Sequence, residues 1–412
     1  MPNTDLSPQK KDSDWVERAR RVIPGGMYGH MSVQRMMPEG YPQFFESAKG
    51  CHIRDTNGRE YIDLMCAYGP MILGYQHPEV EDAVDTQRAK GNVAPGPSPI
   101  LVELAEAYCQ QISHADWSVF AKNGTDATTI CVTTARAGTG KKTILTADGA
   151  YHGAAPWCTP MPAGVLDSDR AHIQHYTYND AESLIQAARA CQNDLAGIIV
   201  SAFKHDAFTD QAMPTQEFAK TARQLCDESG AALILDEVRA GFRLSLDSSW
   251  DALGIAPDLS AWSKAIANGY PIAAVLGNDR FRSAASKIYT TGSFWFEATP
   301  MAAALKTLAL IKQHNVPERL IERGDQLRQG LAAQAQRYGH SLRQTGPVQM
   351  PMWLFDDDQK LEKGFKFCQE VLDRGIYIHP WHNHFLCLAH DEAIIDQVLQ
   401  ATDSAFSVLP SG

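Results

Sequence analysis

Two residues in the middle of this chain stand out by type and setting: Asp236, in "LILDEVRAGFR", and Lys264, 28 residues later in "LSAWSKAIANGYP". Asp236 ends the apolar run "AALIL", which is short and preceded by Gly230. That is the pattern of a strand buried on both faces of a parallel sheet. Ligands of open α/β sheets bind beyond the carboxyl ends of such strands, so Asp236 would project into a cleft. This stretch alone is equally compatible with an ordinary role, in which Asp236 caps the next element or pairs with Arg239 or Arg243. Lys264 has two readings of its own, a surface lysine or an amine kept reactive for imine chemistry.

An acid at one strand end and a lysine after a nearby strand can converge on one ligand. Pyridoxal phosphate (PLP) needs that pair: a lysine imine to hold its aldehyde, and a buried carboxylate to keep its ring nitrogen protonated. Its phosphate needs backbone N–H donors, ideally where a helix starts. "KNGTDATTICV" places Gly124 and Thr125 at such a turn, where glycine admits the phosphate and the threonine hydroxyl adds a bond. The ordinary reading of the same turn is an N-cap, and its match to an Asn-glycosylation pattern carries no weight in a cytoplasmic protein. "AYHGAAP" puts Tyr151 and His152 after a strand, where a ring could stack on the pyridine. "GTGKK" (138–142) is read as a helix end, because it lacks the first glycine and the Ser/Thr of a phosphate loop.

The elements that would position these residues alternate in the middle of the chain. "SVFAKNGTDATTICVTTARAGTG" reads as strand, turn and helix, "KTILTADGAYHG" as strand and loop, "AGIIVSAF" as a buried strand. "PTQEFAKTARQLCDESG" is an amphipathic helix stopped by Gly230, and "PIAAVLG" a further strand. This rhythm predicts an α/β domain with a mainly parallel sheet and helices on both faces. The ends differ. Asn57-Gly58 marks a hairpin within 43–63, 78–91 reads as a helix, and a long helix runs from Met301. Short strands, "YIHP" and "HFLCLA", follow near the C-terminus. The expected division is residues 1–60 and 310–412 in a smaller α+β domain built from both ends, and 61–309 in the large one.

With 412 residues, 44% of them hydrophobic, the chain has material for a large core. A formal net charge of −11 argues against nucleic-acid binding. The first residues hold no apolar core of a signal peptide, and no stretch is long and apolar enough to span a membrane. Nine scattered cysteines, without CxxC or metal-ligand spacing, fit reduced thiols and a cytoplasmic location.

Taken in order, "RARRVIPGG", "AKGCHIRDTNGREYID", "YGPMILGYQHPEV", "NGTDAT", "YHG", "LILDEVRAGFR" and "PDLSAWSKAIANGYP" resemble the class III PLP-dependent aminotransferases of fold type I. Within that family the chain looks most like the glutamate-1-semialdehyde aminomutase branch. The resemblance implies Lys264 as the Schiff-base lysine and proton shuttle, and Asp236 as the acid on the pyridine nitrogen. It also implies Val238 and Tyr151 on the two ring faces with His152 beside them, and Gly124 and Thr125 on the phosphate. "TTGSFWFEATPMAAA" matches a segment that reaches the neighbouring subunit's phosphate, with Ser293 where the family usually has Thr. That implies a homodimer with active sites at its interface.

Departures gather where substrate would bind. Ser201-Ala202 replace a usual Glu-Pro, and "FWFE" (Phe294–Glu297) replaces a small, glycine-containing loop. His382 stands where aminomutases carry a glutamate, Tyr68 where they commonly have Trp, and Arg35 is the available arginine for a carboxylate. Tyr68, Trp295, His382 and Arg35 are therefore the substrate candidates. The expected activity is an aminotransferase working by ping-pong transfer between an amine or amino acid and a keto or aldehyde acceptor. An intramolecular 2,1-aminomutase is the alternative, a racemase or epimerase a weaker one, and a non-catalytic PLP-binding protein a reading of another class. No GxGxxG follows a strand, so a nucleotide-dependent dehydrogenase is disfavoured.

Overall fold

A computed structural model describes residues 11–410, which form two compact units. One holds the described residues through Tyr68, then Leu73–His77 and the chain from Leu320 onward; the other holds Gly69–Ile72 and Pro78–Arg319. The first division falls beyond the expected residue 60 because the strand Glu60–Asp63 pairs with His52–Asp55 and Ile376–Tyr377. The second falls within the helix Val316–Arg337 rather than at 309/310.

The smaller unit carries β1 (Phe45–Lys49), β2 (His52–Asp55) and β3 (Glu60–Asp63) as an antiparallel set, and the hairpin at Asn57-Gly58 joins the last two. The larger unit contributes β4 (Trp117–Ala121), β5 (Thr143–Ala147), β6 (Ile173–Tyr176), β7 (Leu195–Ser201), β8 (Ala232–Asp236), β9 (Leu259–Trp262) and β10 (Ala273–Gly277). Back in the smaller unit, β11 (Leu342–Thr345) and β12 (Met352–Phe355) make a two-stranded sheet, and β13 (Ile376–Tyr377) lies parallel to β3. "HFLCLA" forms no strand. His384 N donates to Pro351 O, Phe385 N to Leu64 O and Leu386 N to Gln349 O, so its amides are satisfied by separate segments instead of one ladder partner.

The seven-stranded sheet runs β4-β10-β9-β8-β7-β5-β6. Strands β9, β8, β7, β5 and β6 are parallel, and β10 is antiparallel to both β9 and β4. Two antiparallel steps leave β4 running the same way as β9. The carboxyl ends of β4, β5, β7, β8 and β9 therefore share one edge of the sheet. Every residue of β5, β7, β8, β9 and β10 is buried, as near-continuous apolar sequence in a sheet covered on both faces requires. The helix Gly124–Thr139 lays Ala127, Ile130, Cys131 and Ala135 on one core cluster with Ile144, Ile199, Ile234 and Val275. The helix Gln216–Ser229 starts on Thr215, whose Oγ1 accepts from Phe218 N at 3.2 Å, and stops at Gly230, which takes φ +68°.

Candidate active site

The helix Gly124–Thr139 begins as soon as β4 ends, because Asn123 closes a capping box. Its Oδ1 accepts from Asp126 N at 3.0 Å, and Asp126 Oδ2 accepts from Asn123 N at 3.2 Å. Gly124 and Thr125 thereby present the first turn of a 16-residue helix. A Cβ on Gly124 would lie 2.7 Å from Val238 Cγ1, so only glycine leaves this cradle open. Thr125 Oγ1 accepts from Ala154 N at 3.1 Å, which ties the turn to the loop after β5 that carries Tyr151 and His152.

Asp236 sits at the end of β8 and is buried. Its Oδ1 accepts from Val238 N at 3.0 Å, and its Oδ2 lies 2.7 Å from His152 Nδ1. A carboxylate offers only acceptors, so Nδ1 carries the proton of that bond. His152 Nε2 is buried without a hydrogen-bond partner. The next residue, Glu237, turns away: Ser249 N donates to its Oε1 at 2.6 Å and Ser248 Oγ at 3.2 Å, while burial raises its carboxyl to about 7.

Lys264 follows β9 with φ +51°, a left-handed conformation that a non-glycine residue adopts at a cost. It opens a short 3-10 turn, Lys264–Ala267, pinned by Ser263 Oγ donating to Ile272 O at 3.0 Å. Burial first, and then the Arg239 guanidinium, push the Lys264 amine down to about 7, with Asp236 pulling the other way.

These residues line one cavity of about 220 Å³: Gly124, Thr125, Tyr151, His152, Asp236, Val238 and Lys264, with His205 and Arg239. They arrive from the carboxyl ends of β4, β5, β7, β8 and β9. An open helix start, a buried carboxylate braced by a histidine, and a poised amine fit the phosphate, ring nitrogen and aldehyde of PLP.

Ser293 does not line this cavity; it is exposed on the segment before the helix Ala298–His314. In the aromatic run, Trp295 packs against the large unit's core together with Val238, while Phe294 and Phe296 are 65% and 41% exposed. Glu297 anchors the run, accepting from Asn92 Nδ2 at 2.6 Å and pairing with Lys122 Nζ at 2.7 Å, just before the Gly124-Thr125 turn.

The remaining substrate candidates belong to the smaller unit. Cys66, Ala67 and Tyr68 take φ of +47°, +53° and +63°, a left-handed turn of three non-glycine residues. Asp63 braces it, accepting from Met65 N at 2.7 Å and from Tyr75 OH at 2.7 Å. The Tyr68 ring meets His30 edge-on at 4.7 Å and His382 at 5.3 Å. Burial lowers both His379 and His384 to about 3, so both are neutral. The structure thus groups Tyr68 with His382. Arg35 is exposed on the short helix Val33–Met36, with its guanidinium lying over Gly25.

Two cavity residues, His205 and Arg239, carry no role in the sequence reading. Arg239 lies in the quoted segment "LILDEVRAGFR", where it serves only as an ordinary partner for Asp236. His205 lies four residues beyond β7, and the rule that ligands sit past the ends of parallel strands applies to it as much as to Asp236.

A family model for aminotransferase class-III matches residues 36–406. The chain is 53% identical over 399 residues to the aminopentol aminotransferase of Sphingopyxis macrogoltabida, covering 97% of this chain and 94% of that one. It is 31% identical over 390 residues to the 3-aminobutyryl-CoA aminotransferase of Cloacimonas acidaminovorans (strain Evry), covering 93% and 94%. Among solved structures, the FumI protein of Sphingopyxis sp. MTA144 in its PLP internal aldimine form superposes with a TM-score of 0.95. It is 53% identical, with 96% of each chain covered.

Proposed function

The chain belongs to the class-III aminotransferases and is a PLP-dependent enzyme of fold type I that transfers amino groups; from that premise we propose which residues do so and on what. Gly124 and Thr125 hold the phosphate, Asp236 keeps the ring nitrogen protonated, and Tyr151 and Val238 flank the ring. His152 acts through Asp236, fixing the carboxylate that faces the nitrogen. When bound, PLP supplies an aldehyde carbon to take up the amino group and a protonated ring to store the electron pair of the broken C–H bond. Lys264 Nζ, uncharged, accepts the proton from the amine-bearing carbon and returns it to the cofactor carbon, and runs the reverse with the acceptor in a ping-pong cycle. The observation that carries this assignment is the convergence of Lys264, Asp236 and the Gly124-Thr125 turn on one cavity.

The amino donor we infer is an amine bearing hydroxyls and a sizeable apolar part, not glutamate 1-semialdehyde. The relative at 53% identity is named for an aminopentol. Tyr68 and the neutral His379 offer hydrogen bonds without charge, which suits hydroxyls, and the His382 ring lies beside Tyr68. Phe294 and Trp295 supply aromatic surface, and Arg35 remains the candidate for an acceptor's carboxylate. The enzyme works as a homodimer in the cytoplasm. In support, Val93, Phe294 and Phe296 are exposed apolar residues on segments tied together through Asn92 and Glu297, and no helix among the described residues is long and apolar enough to cross a membrane. Such exposed apolar surface is a common mark of an interface.

Single-turnover conversion of bound PLP to pyridoxamine phosphate by a panel of amines tests the reading. Long-chain amino alcohols should react faster than glutamate or alanine, with a keto or aldehyde product released. Conversion of glutamate 1-semialdehyde to 5-aminolevulinate without an external donor would overturn it.

A further inference from the structure

The floor of the active-site cavity carries a second cation. Arg239 lies three residues beyond Asp236, on a turn held by Val238 N donating to Asp236 Oδ1 and Gly241 N donating to Glu237 O at 2.8 Å. A Cβ at Gly241 would strike the Trp262 ring at 2.5 Å, so the turn is pressed onto β9, the strand that delivers Lys264. Arg239 is half-buried and lines the same cavity as Lys264. His205 lines it too; it is buried, and its Nδ1 has no hydrogen-bond partner.

We propose that Arg239 is a positioning residue for the Lys264 amine: its guanidinium, on the lining of the shared cavity, disfavours a second positive charge there and helps hold Lys264 in the uncharged form that accepts a proton. The inference rests on Lys264 being the amine that carries PLP. A guanidinium suits the task because it stays charged through the working pH range, whereas an ammonium or imidazolium would titrate alongside Lys264. The groups around the amine fit the assignment, His152 among them, since its Nδ1 is spent on Asp236. Asp236 opposes Arg239, but its Oδ2 is engaged by His152 and its Oδ1 by Val238 N. His205 is held neutral by burial. Arg243, behind the turn, is committed to Gly69 O at 2.6 Å and adds to the same field. Tyr151 is neutral, and Asp206 faces Arg239. After burial, Arg239 is therefore the charge lining the cavity that most disfavours protonation of the amine.

The test uses the full chain freed of PLP. Acylation of Lys264 by an amine-selective reagent is followed against pH by peptide mass spectrometry, with an exposed lysine such as Lys287 as internal reference. In the wild type the midpoint should lie near 7. Arg239→Met should raise it by about one unit or more, a roughly fivefold or greater loss of free amine at neutral pH, and Arg239→Lys, whose ammonium titrates in the same range, should recover only part of the shift. The pH dependence of the bound cofactor's visible absorbance should move in the same direction. Should Arg239→Met fail to fold, Arg239→Gln serves as the neutral variant of similar reach. An unchanged midpoint in the folded neutral variant overturns the inference while leaving the functional assignment standing. Mapping of borohydride-fixed PLP to another lysine would instead overturn the functional assignment.

Discussion

Asp236 and His152 form a short polar contact in the site, 2.7 Å between buried atoms. An amide at position 236 keeps the hydrogen-bonding shape but cannot hold a proton on a ring nitrogen. Asp236→Asn should therefore lower single-turnover rates by roughly 100-fold or more, as removal of a preorganised charge does. PLP affinity should fall less, because the phosphate turn is untouched. Near-normal turnover in this variant would remove Asp236 from its role. The Lys264 amine makes a second prediction, about stability. With its folded-state value near 7 against an ordinary 10.5, the native cofactor-free chain binds fewer protons than the unfolded chain between those limits. Stability then rises with pH across that window, and the cost of burying the amine is greatest at and below pH 7. Lys264→Met should stabilise the cofactor-free protein by about 1 kcal/mol or more at pH 7, with the gap closing toward pH 10. Denaturant titrations at the two pH values check this, and a gap that is constant with pH would contradict it.

At the scale of elements, the site is a product of strand ends, and each end reaches the cavity through a local feature. Gly124 is the most exacting of these. Alanine is a good residue in a helix, but here its Cβ would press on Val238 Cγ1 at 2.7 Å and Cγ2 at 3.1 Å. Gly124→Ala should leave the helix Gly124–Thr139 and the overall circular dichroism intact. It should weaken PLP binding by about tenfold or more, since overpacking a tight contact typically costs ~1–3 kcal/mol. Equilibrium dialysis of the cofactor measures the effect, and unchanged affinity would show that the turn does not cradle the phosphate. Much of this level was legible in the sequence. The apolar runs of β7 and β8, the stop at Gly230 and the turn at Asn123-Gly124 are short-range signals, and each appears where it was expected. What pattern could not supply was pairing. "PIAAVLG" is a strand, but its antiparallel placement between β4 and β9 depends on long-range partners. "HFLCLA" has strand composition, yet its amides are claimed alternately by two separate segments, 349–351 and Leu64. His205 and Arg239 escaped for the same reason, because a residue's presence in a cavity is set by which strand ends are neighbours, not by its own flanking sequence.

For the whole molecule, the open matter is whether one chain completes an active site. Ser293, implied as a phosphate ligand, is exposed and does not line the cavity holding Gly124 and Thr125 of its own chain. Its segment is anchored at its far end, with Glu297 bonded to Lys122 and Asn92, and Thr299 N donating to Asn92 Oδ1 at 3.0 Å. An exposed serine followed by the exposed Phe294 and Phe296 suits a residue that serves a second copy of the chain. In a closed two-fold dimer, Ser293 of each copy would then serve the other's cofactor. Complementation separates this from service within one chain. Lys264→Ala removes the amine, and Ser293→Glu places a carboxylate against the phosphate, so each homodimer should be inactive. Co-expressed with different affinity tags, the two variants form mixed dimers. If Ser293 acts across the interface, one site in each mixed dimer combines an intact Lys264 with an intact Ser293, and the purified mixed dimer should regain about half of wild-type activity. If Ser293 acts within its own chain, each site of the mixed dimer keeps one defect and activity stays at background. Background activity in a mixed dimer that is demonstrably formed, or full wild-type activity in a chain that remains monomeric, would refute the shared site.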